Sequence, residues 1–147
     1  MKKILVMVGT TALLAVVGSI VVAQNQEESP RKDDLIFANA EKAIFKEAAP
    51  GITKAALWGN EKEGAYGTFT KFKPGLDNGM HTHPNDIWIV GIKGAYLYRD
   101  EAGEKRITAG KFIRIPAGKK HWSGGDRNSG ALFYEESSGR FDIVPAK

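Results

Sequence analysis

Gly75-Leu76-Asp77-Asn78-Gly79-Met80-His81-Thr82-His83-Pro84-Asn85-Asp86-Ile87-Trp88-Ile89-Val90-Gly91-Ile92-Lys93-Gly94 holds two turn signals, a run of strand formers and two of the chain's 3 histidines. Pro84-Asn85 and Lys93-Gly94 read as turns, and Ile87-Trp88-Ile89-Val90 between them as a strand. His81 and His83 are two apart in a predicted strand, so both point to one face with Cα atoms ~6.6 Å apart. From that separation two imidazoles can converge on one ion, with bonds of about 2.0 to 2.1 Å. His121 belongs to a different strand. By itself the His-x-His pattern suits surface or core histidines with no ligand role equally well.

The same punctuation extends in both directions. Thr53 to Trp58 and Ala65 to Phe72 flank the turn-rich Gly59-Asn60-Glu61-Lys62-Glu63-Gly64, which predicts a hairpin. In its second arm Tyr66, Thr68, Thr70 and Phe72 share one face and Phe69 and Lys71 the other. Further turns at Asp100 to Gly103, Ala109-Gly110, Ala117-Gly118, Gly124 to Gly130 and Ser137 to Gly139 separate Ala95 to Tyr98, Phe112 to Ile115 and Leu132 to Tyr134. Many short strands at close spacing predict an all-β antiparallel sandwich or small barrel. Leu35 to Ala49 is ambiguous: Leu35-Ile36-Phe37 suits a strand, Ala40 to Glu47 a short helix, and Pro50-Gly51 ends whatever forms.

With 147 residues, 42% apolar and 26% charged, the chain is long enough for one domain with a real core. At its start Met1-Lys2-Lys3 precedes an almost wholly apolar run from Ile4 to Ala23, followed by the polar Gln24-Asn25-Gln26-Glu27-Glu28. A charged n-region, an apolar h-region and small residues before a polar stretch predict a signal peptide at 1–23, cleaved after Ala23. The run is also long enough to span a bilayer as an uncleaved anchor. Residues 24–34 read as a flexible tether and 35–147 as the folded domain, which would lie in a periplasm or outside the cell. Without Lys2 and Lys3 the net charge of +4 falls to about +2, a field too weak to suggest nucleic acid as a partner. The segment 1–23 is the only expected membrane element. The absence of cysteine excludes disulfides, thiolate metal sites, a catalytic thiol and an N-terminal lipid-cysteine anchor. Any chemistry therefore rests on histidines, carboxylates and hydroxyls.

The stretch from Gly75 through His81 and His83 to Gly94 resembles the first cupin motif, G-x5-H-x-H-x(3,4)-E-x6-G. Gly110-Lys-Phe-Ile-Arg-Ile-Pro116-Ala-Gly118-Lys-Lys-His121 resembles the second, G-x5-P-x-G-x2-H-x3-N. Every glycine, proline and histidine of both patterns is present. Leu57-Trp58-Gly59, Gly67 to Phe72 and Gly139-Arg140-Phe141-Asp142 are also similar to exported single-domain cupins, some described as ChrR-like, so the resemblance covers about residues 50 to 145. It implies a double-stranded β-helix, or jelly-roll barrel, with one divalent ion (iron, zinc, manganese, nickel or copper) held by His81, His83 and His121. A small-molecule ligand and a homodimer are the partners it suggests.

Two positions depart from the pattern. Ile87 stands where the motif carries its Glu ligand, and Gly125 where it carries Asn. Asp86, one residue early, points to the wrong face of a regular strand and could coordinate only through a bulge. Otherwise it is a turn residue bonding local backbone amides. Three neutral imidazoles would leave the ion's full charge for water or an anionic ligand, and zinc would suit hydrolysis, iron(II) dioxygen chemistry. Candidate proton-handling groups are Tyr96, Tyr98, Tyr134, Glu135 and Glu136, and only one of the two glutamates should face inward. Trp88 and Trp122 could line a pocket or simply belong to the core, and Lys119-Lys120 could attract an anion or be solvated. Three readings follow: a metalloenzyme, dioxygenase-like or hydrolytic; a non-catalytic metal- or ligand-binding module; and a structural barrel whose histidines are only polar core or surface groups.

Overall fold

The computed structural model describes residues 35–147; the expected signal peptide at 1–23 and tether at 24–34 lie outside the described residues. Eleven strands follow in order: β1 (Lys46–Ala49), β2 (Ile52–Gly59), β3 (Tyr66–Phe72), β4 (Asp77–Thr82), β5 (Ile87–Gly94), β6 (Tyr96–Asp100), β7 (Gly103–Ile107), β8 (Phe112–Ile115), β9 (His121–Gly125), β10 (Ala131–Ser137) and β11 (Val144–Pro145). No α-helix occurs among the described residues. Where a short helix over Ala40 to Glu47 was one reading, a turn at 40–42 leads into β1, and Leu35 to Phe37 form no strand. The tertiary pairing of Lys46 and Glu47 with β2 overrides the helical propensity of that segment.

Two antiparallel sheets face each other, ordered β1-β2-β3-β10-β5-β8 and β11-β4-β9-β6-β7. The predicted hairpin is β2 and β3, with Ala55 opposite Phe69 and a register shift between Ala56 and Trp58. Period-two alternation sends Tyr66, Thr68, Thr70 and Phe72 of β3 inward, where all four are buried. Beside them β10 contributes Phe133 and Glu135 and β5 contributes Ile87 and Ile89, while Tyr96 and Tyr98 of β6 face them from the other sheet. Phe133 lies against Phe72 and Tyr96, at ring-centroid distances of 4.9 and 5.1 Å. This apolar cluster closes one part of the barrel and leaves the β4–β9 region for polar groups.

Two glycines show why the turns read so clearly. Gly94 adopts φ 68° between β5 and β6, and a Cβ there would run into the Gly130 carbonyl. Gly118 adopts φ 73° and its N–H donates to the His83 carbonyl at 2.8 Å, so the turn before β9 is fastened to the residue just beyond β4.

Candidate metal centre

His81 near the end of β4 and His121 at the start of β9 are direct cross-strand partners. His83 follows on the same face just past β4, as the two-residue spacing requires. The imidazole centroids are 4.3 Å apart for His81 and His121, 4.9 Å for His81 and His83, and 5.4 Å for His83 and His121. One ring nitrogen from each lies within 4.8 Å of the other two, and all three residues are buried. The structure thus joins three histidines that the sequence separates by up to forty positions.

Each ring is oriented by a backbone carbonyl. Nδ1–H of His81 donates to Gly79 O at 2.9 Å, that of His83 to Asp142 O at 2.7 Å and that of His121 to Lys119 O at 2.9 Å. A carbonyl can only accept, so these bonds place the proton on Nδ1 and the lone pair on Nε2. Nε2 of His121 is a buried atom without a hydrogen-bond partner among the described residues. Burial lowers the pKa of all three histidines, against the opposing pull of the carbonyl bonds, and brings His83 and His121 down to about 4. The rings are therefore neutral at pH 7, the state a metal ligand needs. Tyr98 stacks on His121 at 5.1 Å and donates its hydroxyl to Asp100 at 2.9 Å, which fixes the ring from its far side. Three preoriented Nε2 lone pairs, one of them enclosed and unsatisfied, fit a divalent ion.

A cavity of about 200 Å³ adjoins His81 and His83. Its polar wall is formed by Lys54, Glu61, Asn78, Ser123 and Glu135, and Ile87, Ile89, Phe141 and Ile143 contribute to its apolar wall. Glu135 accepts the Tyr66 hydroxyl at 2.8 Å and the Lys54 ammonium at 3.1 Å, while Lys54 also pairs with Glu61 at 2.7 Å. Burial works against the charge on Lys54, but Glu135 and Glu61 outweigh it and raise its pKa. Burial, then the Glu135 charge, raise Tyr66 far above the usual phenol range, so it remains a donor.

A family profile described as "Domain of unknown function (DUF4437)" matches residues 36–147. The chain belongs to this family. Solved structures show the DUF4437 chain to have a cupin fold. KdgF from a Halomonas species is 20% identical, with a TM-score of 0.58 over 72% of this chain and 95% of that one. The polyketide cyclase RemF from Streptomyces resistomycificus is 14% identical, with a TM-score of 0.62 over 78% of this chain and 87% of that one. An RmlC-like cupin from Shewanella frigidimarina is 19% identical, with a TM-score of 0.56 over 71% and 91%. At these identities the likeness is one of fold. No curated protein sequence matches the chain.

In this cupin the position of the motif's Glu is occupied by Ile87, which points into the cavity and is 3% exposed. The register of the motif is kept and its charge is lost. Asp86 does not replace it: Oδ2 accepts from Arg114 at 2.8 Å and Oδ1 from the Ala117 N–H at 2.9 Å. These bonds hold its carboxyl below the usual range and tie the start of β5 to the turn after β8. The amide it takes is distant in sequence, contrary to the local-turn reading as well.

Of the proton-handling candidates, Glu135 and Tyr96 line the cavity. Glu136 faces outward and accepts the Tyr134 hydroxyl at 2.9 Å, and Tyr98 supports His121 instead of lining the cavity. Trp88 and Trp122 stay outside it: Trp88 sits opposite Glu136 and Arg114, and Trp122 donates to Asp77 at 2.6 Å under the Arg99 guanidinium. Lys119 pairs with Asp100 and Glu101, and Lys120 bonds the Lys147 carbonyl, so neither is a free anion site. Lys54, Asn78 and Ser123 escaped the sequence reading because no motif marks them. Inward alternation on β2 was the one available signal for Lys54, which lies opposite Thr70.

Proposed function

We propose that this cupin is an exported metalloenzyme that holds one divalent ion through Nε2 of His81, His83 and His121 and acts on a small molecule in the adjoining cavity. The observation that carries this reading is the partnerless, buried Nε2 of His121, set among rings whose Nδ1 atoms are all spoken for. Leaving a buried acceptor unsatisfied costs about 1–3 kcal/mol, which a bound cation would relieve. When bound, the ion supplies Lewis acidity or, as iron(II), dioxygen chemistry. Around it the chain's own residues shape a small enclosure. Phe141 and Ile143 of the C-terminal segment give it an apolar side, while Lys54, held between Glu61 and Glu135, and Asn78, bonded to Ser123, each keep an N–H to orient a ligand.

Export rests on the n-region and apolar run at 1–23. It predicts a mature protein beginning at Gln24 in the extracytoplasmic fraction, checked by intact mass. The metal reading is tested by elemental analysis of untagged mature protein beside a His81→Ala/His83→Ala/His121→Ala variant, with circular dichroism to confirm the fold. Near one equivalent of a single metal in wild type and none in the variant is expected. Equal metal content in both overturns the site. Stoichiometric metal without turnover of any small molecule would leave a binding module.

A further inference from the structure

Both donors that hold Glu135 fall on one oxygen. The Tyr66 hydroxyl and the Lys54 ammonium bond Oε1, at 2.8 and 3.1 Å. Among the described residues both bonds to the carboxylate fall on Oε1 and none on Oε2, and the residue lines the cavity that His81 and His83 border. Such a carboxylate is anchored at one oxygen and available at the other, the arrangement a general base needs. Its surroundings limit what it can meet. The cavity of about 200 Å³ holds about seven water volumes, so the ligand is small. Lys54 is outnumbered by Glu61 and Glu135, so the lining by itself is net negative. A divalent ion on three neutral imidazoles, which subtract nothing from its charge, would turn the cavity net positive and suit a single carboxylate. Asn78, which donates to Ser123 at 3.0 Å, keeps a second amide hydrogen for a ligand oxygen.

We infer that Glu135 is the proton-transferring residue of this cavity, and that its substrate class is small carboxylates bearing a carbonyl next to a C–H bond. This rests on the metal reading above. In the step, the C–H bond beside the carbonyl breaks and its proton passes to Glu135 Oε2. The electron pair of that bond becomes a C=C bond, and the carbonyl π pair moves to the carbonyl oxygen, giving an enolate. Return of a proton from Oε2 reverses the change, so no oxidant or reductant is consumed. Lys54 and Tyr66 keep Oε1 occupied throughout and so keep Oε2 aimed at the ligand.

The experiment uses mature full-length protein loaded with one equivalent of zinc, with pyruvate and oxalate as probes. Deuterium uptake into the pyruvate methyl group from D₂O is followed by proton NMR, and oxalate affinity is measured by titration calorimetry. Glu135→Gln preserves shape and an acceptor for Tyr66 and Lys54, so it should fold and hold zinc like wild type, while melting lower because Lys54 keeps only Glu61 as a charged partner. It is expected to slow exchange by about 100-fold or more. Removing the charge should also tighten oxalate about tenfold. Exchange by Glu135→Gln within about threefold of wild type overturns the assignment, as does an unchanged oxalate affinity. Zinc-loaded wild type that leaves pyruvate unexchanged, or binds neither probe, overturns the substrate class. Wild type that takes up no zinc overturns the metal reading itself.

Discussion

Stripping the ion should make the protein sensitive to mild acid in a window that belongs to its histidines. Their ordinary value is 6.5, and burial brings His83 and His121 to about 4 in the folded chain. Because the folded values are depressed, the unfolded chain takes up protons first. Stability is complete above pH 6.5 and falls as pH drops through that value towards 4. At pH 5 each of the two loses about 2 kcal/mol, so the pair loses about 4 kcal/mol, and His81, lowered in the same direction, adds to it. For a domain with a total stability of about 5–15 kcal/mol this is a large share. The carboxylates do not confuse the window, since Asp86, Asp100 and Asp126 are depressed from 3.8 and their contribution is lost only at lower pH. Urea denaturation of chelator-treated protein at pH 7.5 and pH 5.0 measures the difference. A His83→Gln variant should lose less on acidification than wild type, by about half of the pair's share. Equal stability at the two pH values in the apo wild type would refute the reasoning, because the chain has only these 3 histidines to take up the protons.

Three further outcomes are expected. Ile87→Glu places a carboxylate where the cavity is apolar and should destabilise the apo protein by about 3–5 kcal/mol, with zinc restoring stability more than it does in wild type; melting with and without zinc checks this. Asp86→Asn breaks the contacts to Arg114 and Ala117 but should leave metal content at the wild-type level, and loss of metal in this variant would reinstate Asp86 as a ligand. Phe133→Ala removes a ring with 0% exposure at the centre of the core and should cost about 3–5 kcal/mol by chemical denaturation.

Local rules made much of this protein readable in one dimension. Turn residues and period-two alternation decide strand existence, so β2, β3, β5, β6, β8 and β10 were visible in runs such as Ile87 to Val90 and Leu132 to Tyr134. The alternation also required that Glu135 and Glu136 face opposite ways. Two-residue spacing alone made His81 and His83 neighbours on one face, and the motif register named Ile87 as the missing ligand. Other features depend on pairings between distant segments, which no local pattern encodes. The cross-strand contact of His81 with His121 is set by the β4–β9 register, and the carbonyl that orients His83 comes from Asp142 at the far end of the chain. Asp86 could be removed from the ligand set only once Arg114 and Ala117 were seen beside it. The same holds for Lys54: a lysine in a strand reads as solvent-facing, and only the packed barrel brings Glu61, Glu135 and the Phe141 ring around it, stabilising a charge that burial alone would expel.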